Sequence, residues 1–414
     1  MTPTKIIVVG AGAAGLMCAG NAALCGADVT ILEKNSRVGR KIMITGKGRC
    51  NVTNNCDSTA FIANVATNGR FLYSAINNFS TQDTMDFFEQ NGVPLKTERG
   101  NRVFPVSDRA VDIVDCLHRF VSRCGCKIIN AEVRSLIIDN GCVCGVTTAD
   151  GEKYMCDKVV VATGGKSYPL TGSTGTGYIL ARQAGHTVVI PKPSLVPMVS
   201  SDPWCKSLQG LSLKNVSLSV IAKKGSKTIY SDFGEMLFTH FGISGPIVLS
   251  ASAHLAHKQA GDYYISIDIK PALTEKQLDL RILRDFEMFI NKDIQNSLNR
   301  LLPSKIIPIV ISRANIPFET KCNSITKEQR QALVNIIKNF TINIIGFRPI
   351  EEAIVTSGGV STKEINPKTM ESKLCSNLYF VGEVIDVDAY TGGFNLQIAF
   401  STGYLAGQAA AQDF

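Results

Sequence analysis

No run in this 414-residue chain reaches the ~18 consecutive apolar residues that a membrane-spanning helix requires, so no span is expected. The N-terminus lacks the charged, apolar and small-residue segments of a secretion signal and runs directly into a strand-like stretch. A cytoplasmic location is expected, with 13 free thiols rather than a disulfide scaffold. Metal-ligand spacing is missing as well. Cys124-Gly-Cys126 and Cys142-Val-Cys144 are C-x-C pairs in strand-like runs, and the five histidines are scattered, so no metal site is expected. Lys and Arg number 43 against 35 Asp and Glu, a net charge of +8 that reads as spread along the chain. Its densest run, Lys223-Lys224 with Lys227, is too short for a nucleic-acid arm and reads as a solvated face. A nucleic-acid partner is therefore not expected, and the excess charge suits an anionic cofactor or small-molecule substrate. No internal repeat is evident, and the oligomeric state stays open.

A hydrophobic fraction of 45% with 19% charged residues describes an ordered chain, long enough for two or three domains. Residues 1–190 alternate strand and helix patterns, as an open parallel sheet with helical crossovers requires. Thr81 to Gln90 reads as a capped helix, and Asp108 to Cys124 as a second with Ala110, Ile113, Val114, Leu117 and Val121 on one face. Two strands flank a turn at Asn140-Gly141. Pro191, Pro193 and Pro197 then break regular structure. Beyond them Val216 to Ile221 alternates as a strand, and Thr274 to Leu302 and Lys327 to Phe340 are helical by spacing. The expected organisation is one domain from 1–190 and 346–414, a β-rich insertion from 191–270 and 318–345, and a helical subdomain from 271–317.

The run Lys5 to Gly15 reads as a strand followed by Gly10, Gly12 and Gly15 in G-x-G-x-x-G spacing, with Ala13 and Ala14 opening a helix. Gly10 allows the tight turn, Gly12 admits a pyrophosphate, and Gly15 lets helix pack on strand. Glu33 ends the next apolar run, where it can accept from a ribose hydroxyl, and Lys34 follows it. Two later apolar strands end at Ala162-Thr163-Gly164 and at Gly382-Glu383 with Asp386. These resemble the segments that approach FAD in flavoproteins of the glutathione-reductase superfamily, which points to FAD; with no histidine before His118 the FAD is expected to be non-covalent, and NAD(P)H is expected as a transient reductant. Gly172 to Gly177 lacks a preceding strand and a downstream acid, so it is read with FAD and not as a second dinucleotide site.

Arg37 to Asn54 is dense in cations, glycines and amides. Its Arg40, Lys41, Lys47 and Arg49 can balance phosphate and flavin charge, with Thr45, Gly46, Cys50 and Asn51 along the same loop. Gly393, Phe394, Asn395 and Leu396 open a final helix whose first amides can stabilise charge developing on a reduced flavin. Lys47, His240 and Tyr390 are the candidate proton donors, with Asn395 a further catalytic candidate. Cys50 and Cys56 have C-x5-C spacing and are read as packing residues, not a redox pair.

The chain also carries Gly46-Lys-Gly-Arg-Cys-Asn-Val-Thr-Asn54, Arg102-Val-Phe-Pro105, Ala162-Thr-Gly-Gly165, Gly234 to Pro246, Thr356-Ser-Gly-Gly-Val360 and Gly392-Gly-Phe-Asn395. In these it resembles, over nearly its whole length, a bacterial family of FAD proteins labelled aminoacetone-oxidase-like or bile-acid-operon flavin reductases. The resemblance implies an α/β Rossmann-like FAD-binding domain with an inserted β-barrel-like domain carrying a helical subdomain. Val133 is a further cofactor-binding candidate. Where the family often has Gly-Asp-Gly, this chain has Gly175-Thr176-Gly177, which removes an expected acid contact. The activity implied is hydride transfer through flavin N5 to an enone such as a 3-oxo steroid or bile-acid intermediate. The alternatives are a small-amine oxidase using oxygen, and a low-turnover flavin protein associated with RNA through a basic barrel face.

Overall fold

The computed structural model describes residues 2–412, which form two compact units: one up to Ser194 and again from Pro349, the other Leu195–Arg348. The first is an α/β domain built on a Rossmann-type parallel sheet. Its central sheet holds β1 (Lys5–Val9), β2 (Asp28–Glu33), β3 (Lys127–Asn130), β4 (Lys158–Val161) and β5 (Leu378–Phe380) in the order β5-β4-β1-β2-β3. Every pair is parallel. Near-continuous apolar runs suit such strands, because helices cover both faces; all of β4 and β5 is buried. Chain order reverses on either side of β1, so the loops leaving β1, β2 and β4 gather at the carboxyl edge, where doubly wound sheets bind ligands.

Helix α1 (Ala13–Leu24) follows β1, and α2 (Phe394–Ala411) ends the domain. The two approach closely because α2 carries Gly403 and Gly407. A Cβ there would lie 2.4 Å from the Ala14 carbonyl oxygen and 2.5 Å from that of Cys18. Elsewhere in the unit, the helix Thr81–Gln90 starts with a Ser80/Asp83 capping box, and Ala110–Arg123 buries the apolar face read from its spacing. Asn140 and Gly141 both take positive φ, as a tight hairpin turn demands.

Prolines 191 and 193 do not break structure as expected. They lie in the strand Val188–Ser194, paired with Val355–Val360 across a register shift between Val189 and Lys192. In a two-stranded sheet each proline can turn its missing donor away from the partner. Residues 191–194 thus belong to the first unit.

The second unit is a closed six-stranded barrel of Met198–Ser200, Gly242–Ser244, Thr228–Thr239, Ser212–Ala222, Tyr263–Asp268 and Phe340–Phe347. Alternation fills it: Val216, Leu218 and Val220 point inward with Phe238, Ile265, Ile267, Ile342 and Ile344. The helix expected to reach Leu302 stops at Met288, because Ile294 N donates to the Thr320 carbonyl and Asp293 bridges to Lys321. Likewise the helix Lys327–Lys338 ends before Phe340, which opens the last barrel strand. The positive charge is not spread evenly either. Residues 195–348 hold 19 Lys and Arg against 12 Asp and Glu, which is +7 of the chain's +8.

Candidate functional site

The turn after β1 separates two kinds of glycine. Gly10 has φ +105°, and a Cβ on it would sit 2.7 Å from the Ala162 carbonyl oxygen; one on Gly15 would meet the Gly10 oxygen at 1.9 Å. Both are dictated by the protein's own packing. Gly12 is in ordinary extended backbone, and a Cβ there would meet nothing within 4 Å. It is the N-cap of α1, and no side chain caps the first turn. The amides that open α1, at buried Ala13, Ala14 and Gly15, therefore have neither a capping group nor a side chain covering their approach, which is the donor set a diphosphate requires.

Glu33 lies beside this turn and is only 8% exposed. Its carboxylate accepts from Ala11 N (2.7 Å), Asn35 N (2.8 Å) and Asn35 Nδ2 (2.6 Å), which fixes the acid at the turn's edge. Arg40 donates to Asn35 Oδ1 (2.8 Å), one step behind Glu33. Lys34 donates to Thr174 Oγ1 (2.7 Å). Val133 is buried at the start of an antiparallel strand, opposite Thr148.

At the end of β4, Thr163 Oγ1 is buried without a hydrogen-bond partner, and a Cβ on Gly177 would lie 2.1 Å from it. The Gly172–Gly177 segment thus packs on the same turn. Gly382, after β5, has φ +72° and leaves room for Ala14, since a Cβ would stand 2.9 Å from the Ala14 Cβ. Glu383 is next. One of its oxygens accepts from Lys41 Nζ (2.6 Å), the other from Ser167 Oγ (3.0 Å) and Thr356 N (2.8 Å). Lys41 also donates to Ser167 Oγ (2.6 Å). Lys41, expected to balance phosphate charge, is thus held by the Glu383 carboxylate. Asn68 Nδ2 donates to the carbonyl (2.7 Å) and carboxylate (3.0 Å) of Asp386.

The loop from Thr45 to Asn51 is wound tightly. Gly46, Lys47, Gly48 and Cys50 all have φ between +57° and +83°. For Lys47 and Cys50 that conformation costs about 1–2 kcal/mol each. Arg49 holds the loop: it pairs with Glu98 and Asp108, and its guanidinium sits 4.1 Å from the centre of the Phe104 ring. Arg49, expected as a cofactor counter-ion, thus braces this loop. Thr45 Oγ1 donates to the Ile42 carbonyl, and its own carbonyl accepts from Cys50 N. Burial pushes the Cys50 thiol up to about 12, and Cys50 and Cys56 are unbridged. Asn51 Oδ1 is buried with no partner. Lys47 is exposed.

Helix α2 starts at a third glycine turn. Gly393 has φ +101°, and a Cβ would overlap the Thr53 carbonyl oxygen at 2.3 Å. Asn54 Nδ2 donates to the Gly392 carbonyl (3.0 Å), and Gln397, fully buried, accepts from Thr53 Oγ1 (2.6 Å). Asn395 Oδ1 accepts from Ala389 N (3.0 Å) while its Nδ2 donates to Ala389 O (2.8 Å). The side chain expected as a catalytic contact thus fixes the loop that leads into α2. Phe394 is buried edge-on to Phe61, and Leu396 is half-buried. Tyr390 is half-buried, and burial together with Asp388 raises its phenol above the ordinary value. Asp388 is buried, accepting from Ser194 Oγ (2.7 Å) and Ser357 Oγ (3.0 Å). His240 is exposed in a barrel turn of the second unit, edge-on to Phe241.

Ser167, Thr356, Asn54, Gln397 and Asp388 escaped the sequence reading. Thr356 and Asn54 stood in quoted motifs without a role, whereas buried Gln397 and Asp388 carried no local signal. Among the described residues no cluster of three or more His, Cys, Asp or Glu could hold a metal, and no helix is long and apolar enough to cross a membrane.

Three segments of one unit, the starts of α1 and α2 and the turn after β4, thus present glycines, uncapped amides and unpartnered buried polar atoms. Similar proteins are known. The chain is 32% identical over 414 residues to a 3-dehydro-bile acid delta(4,6)-reductase from Clostridium scindens, covering 99% of each. It is 33% identical over 403 residues to a ribosomal RNA dihydrouridine synthase from Haemophilus influenzae, covering 96% of each. Among solved structures, 3-ketosteroid-delta4-(5alpha)-dehydrogenase from Rhodococcus jostii shares the fold with a TM-score of 0.52 at 14% identity, covering 99% of this chain and 97% of that one. Residues 4–409 match the HI0933-like protein Rossmann domain, so the chain belongs to the HI0933-like family.

Proposed function

We propose that this FAD-dependent oxidoreductase reduces a carbon–carbon double bond conjugated to a carbonyl, with NAD(P)H oxidised to NAD(P)+. The observation that carries the cofactor is Gly12: an N-cap glycine that no protein contact requires, with uncapped amides behind it and Glu33 at its side. The α1 amides would hold the pyrophosphate, Glu33 the ribose, and Asn51, Thr163 and the start of α2 the flavin. Bound there, FAD supplies hydride transfer through N5. No histidine precedes His118, so no histidine of the N-terminal loop can attach the flavin covalently. Acid precipitation should release all yellow colour; colour kept on the denatured chain would count against this.

The names of both curated relatives support the acceptor class, since a 3-oxo-4,6-diene and a uracil ring each hold a double bond conjugated to a carbonyl. Hydride adds to the carbon β to the carbonyl and a proton to the α carbon. Tyr390, kept protonated by burial and the neighbouring Asp388 charge, is the proton source we assign. The first acceptor is a 3-oxo steroid-like enone. A second, a uracil ring within RNA, is favoured by the +7 charge of residues 195–348.

The test is anaerobic: NADH or NADPH bleaches the flavin, then a 4-en-3-one steroid or a uridine-containing ribosomal RNA fragment restores its absorbance with one reduced product per NAD(P)H. Bleaching by small amines alone, with reoxidation only by oxygen, would sink the proposal in favour of an amine oxidase.

A further inference from the structure

The 19 cations of the second unit differ in their surroundings. Four of its cations are paired along the helical segments and the strand beside them: Arg281 with Asp285, Lys321 with Asp293, Arg330 with Asp279 and Lys338 with Asp268. At one end of the barrel the opposite holds. The strands Ser212–Ala222 and Thr228–Thr239 are joined by a tight turn closed by Ala222 N donating to Lys227 O, with Gly225 at φ +78° and Ser226 at +48°. Lys223, Lys224 and Lys227 are all exposed on it. The turn is tied to the next strand, because Lys223 N donates to Asp262 O and Ala222 stands opposite Tyr263. Over that Tyr263 ring, 5.6 Å from its centre, lies the ammonium of exposed Lys258.

Four lysines are thus gathered at one barrel end, and none enters an ion pair among the described residues. Two exposed acids border them. Asp262 sits beside Lys223, and Asp232 accepts from the Tyr230 hydroxyl (2.9 Å), while the Tyr230 ring lies against His254 with centres 4.3 Å apart. Unpaired ammonium groups on a short, pinned turn, flanked by half-buried aromatic rings, form an electrostatic footprint for a phosphodiester backbone.

We infer that the barrel end formed by Lys223, Lys224, Lys227 and Lys258 docks the phosphate backbone of structured RNA. The inference rests on the second acceptor reading, a uracil ring in RNA, and adds a surface that grips the phosphates of the strand. A strongly charged polymer suits a rigid lysine cluster, because each neutralised phosphate releases a counterion and steepens the salt dependence of binding.

The experiment uses the full-length, FAD-loaded protein and a fluorescein-labelled ribosomal RNA hairpin, with anisotropy followed from 50 to 300 mM salt. Three proteins are compared: wild type, the quadruple variant Lys223→Gln, Lys224→Gln, Lys227→Gln, Lys258→Gln, and a control in the other unit, Lys153→Gln, Lys363→Gln, Lys368→Gln. The quadruple variant should bind roughly tenfold or more weakly, with a log–log salt slope shallower by about 3. The control should bind like wild type, and flavin bleaching by NAD(P)H should match in all three. Equal weakening in the control overturns the inference, as does an unchanged slope in the quadruple variant. Equally tight binding of wild type to phosphatidylserine vesicles overturns it in favour of a lipid surface. Dihydrouridine formation is read separately. If it proceeds unchanged in the quadruple variant the docking face is wrong and the acceptor stands; if docking follows the lysines but no dihydrouridine forms, the acceptor is wrong and the face stands.

Discussion

The two units differ in what their sequences concentrate. Residues 195–348 contain 7 of the 35 glycines but +7 of the net +8 charge, whereas the Rossmann unit holds the remaining 28 glycines and is close to neutral. Glycine accumulates where backbone must come within van der Waals distance of other backbone or of a ligand. Charged side chains concentrate where the surface is solvated. In the Rossmann unit most glycines answer to the protein itself, as Gly10, Gly15, Gly393, Gly403 and Gly407 do; Gly12 does not. Within that unit the contrast separates glycines that serve the fold from one left open to a ligand.

The largest expected effect tests that separation directly. Gly12→Val should empty the protein of FAD while changing the stability of the cofactor-free chain by no more than about 1 kcal/mol, because an N-cap substitution in open space costs little more. Absorbance at the flavin band and denaturant melts of the apo forms check both halves, and a Gly12→Val protein purified with full FAD would overturn the assignment. Next is Asn395→Leu, which leaves both backbone groups of Ala389 without partners and frees the loop before α2. Flavin reduction by NAD(P)H should slow about 100-fold, equivalent to ~3 kcal/mol of barrier.

A glycine of the barrel provides the counter-case. Gly245 has φ +100°, and a Cβ would fall 2.8 Å from Met236 Cα. Gly245→Ala should cost about 2–3 kcal/mol in a urea melt, with the FAD content of the folded fraction unchanged. Selective flavin loss there would erase the distinction between the units. A smaller effect is expected from Glu33→Ala, which strips an acceptor from Ala11 and Asn35 and should weaken FAD binding about tenfold by titration of the apo protein, ~1–2 kcal/mol. Smallest is Cys50→Ser. With its thiol pushed up to about 12 by burial, Cys50 is uncharged throughout the neutral range and should resist iodoacetamide in the native protein. Turnover should stay within a few-fold; its abolition with FAD bound would replace the mechanism by a thiol-based one.

Much of this site was legible because it is local. The G-x-G-x-x-G turn, the acid closing β2, the small-residue turn after β4 and the glycine pair before α2 each announce themselves within a few residues, since backbone conformation and helix capping are short-range properties. The Asn140-Gly141 hairpin and the helix faces were readable for the same reason. Less legible was what each charged side chain would face. Lys41 and Arg49 look alike in a basic loop, yet Lys41 neutralises Glu383, 342 positions away, and Arg49 braces against Glu98 and Asp108.

The sequence by itself determined the strand–turn–helix units, their glycine punctuation and the family, because these depend on local conformation and on motifs that survive as strings. Only the tertiary structure decided that Gly12 is the glycine of the first unit without a protein reason, that Asn395 holds a loop, that Pro191 and Pro193 sit in a strand, and that four lysines free of ion pairs among the described residues gather at one barrel end. Those outcomes depend on which distant residues meet, and pairing across tens to hundreds of residues leaves no mark in any short stretch of sequence.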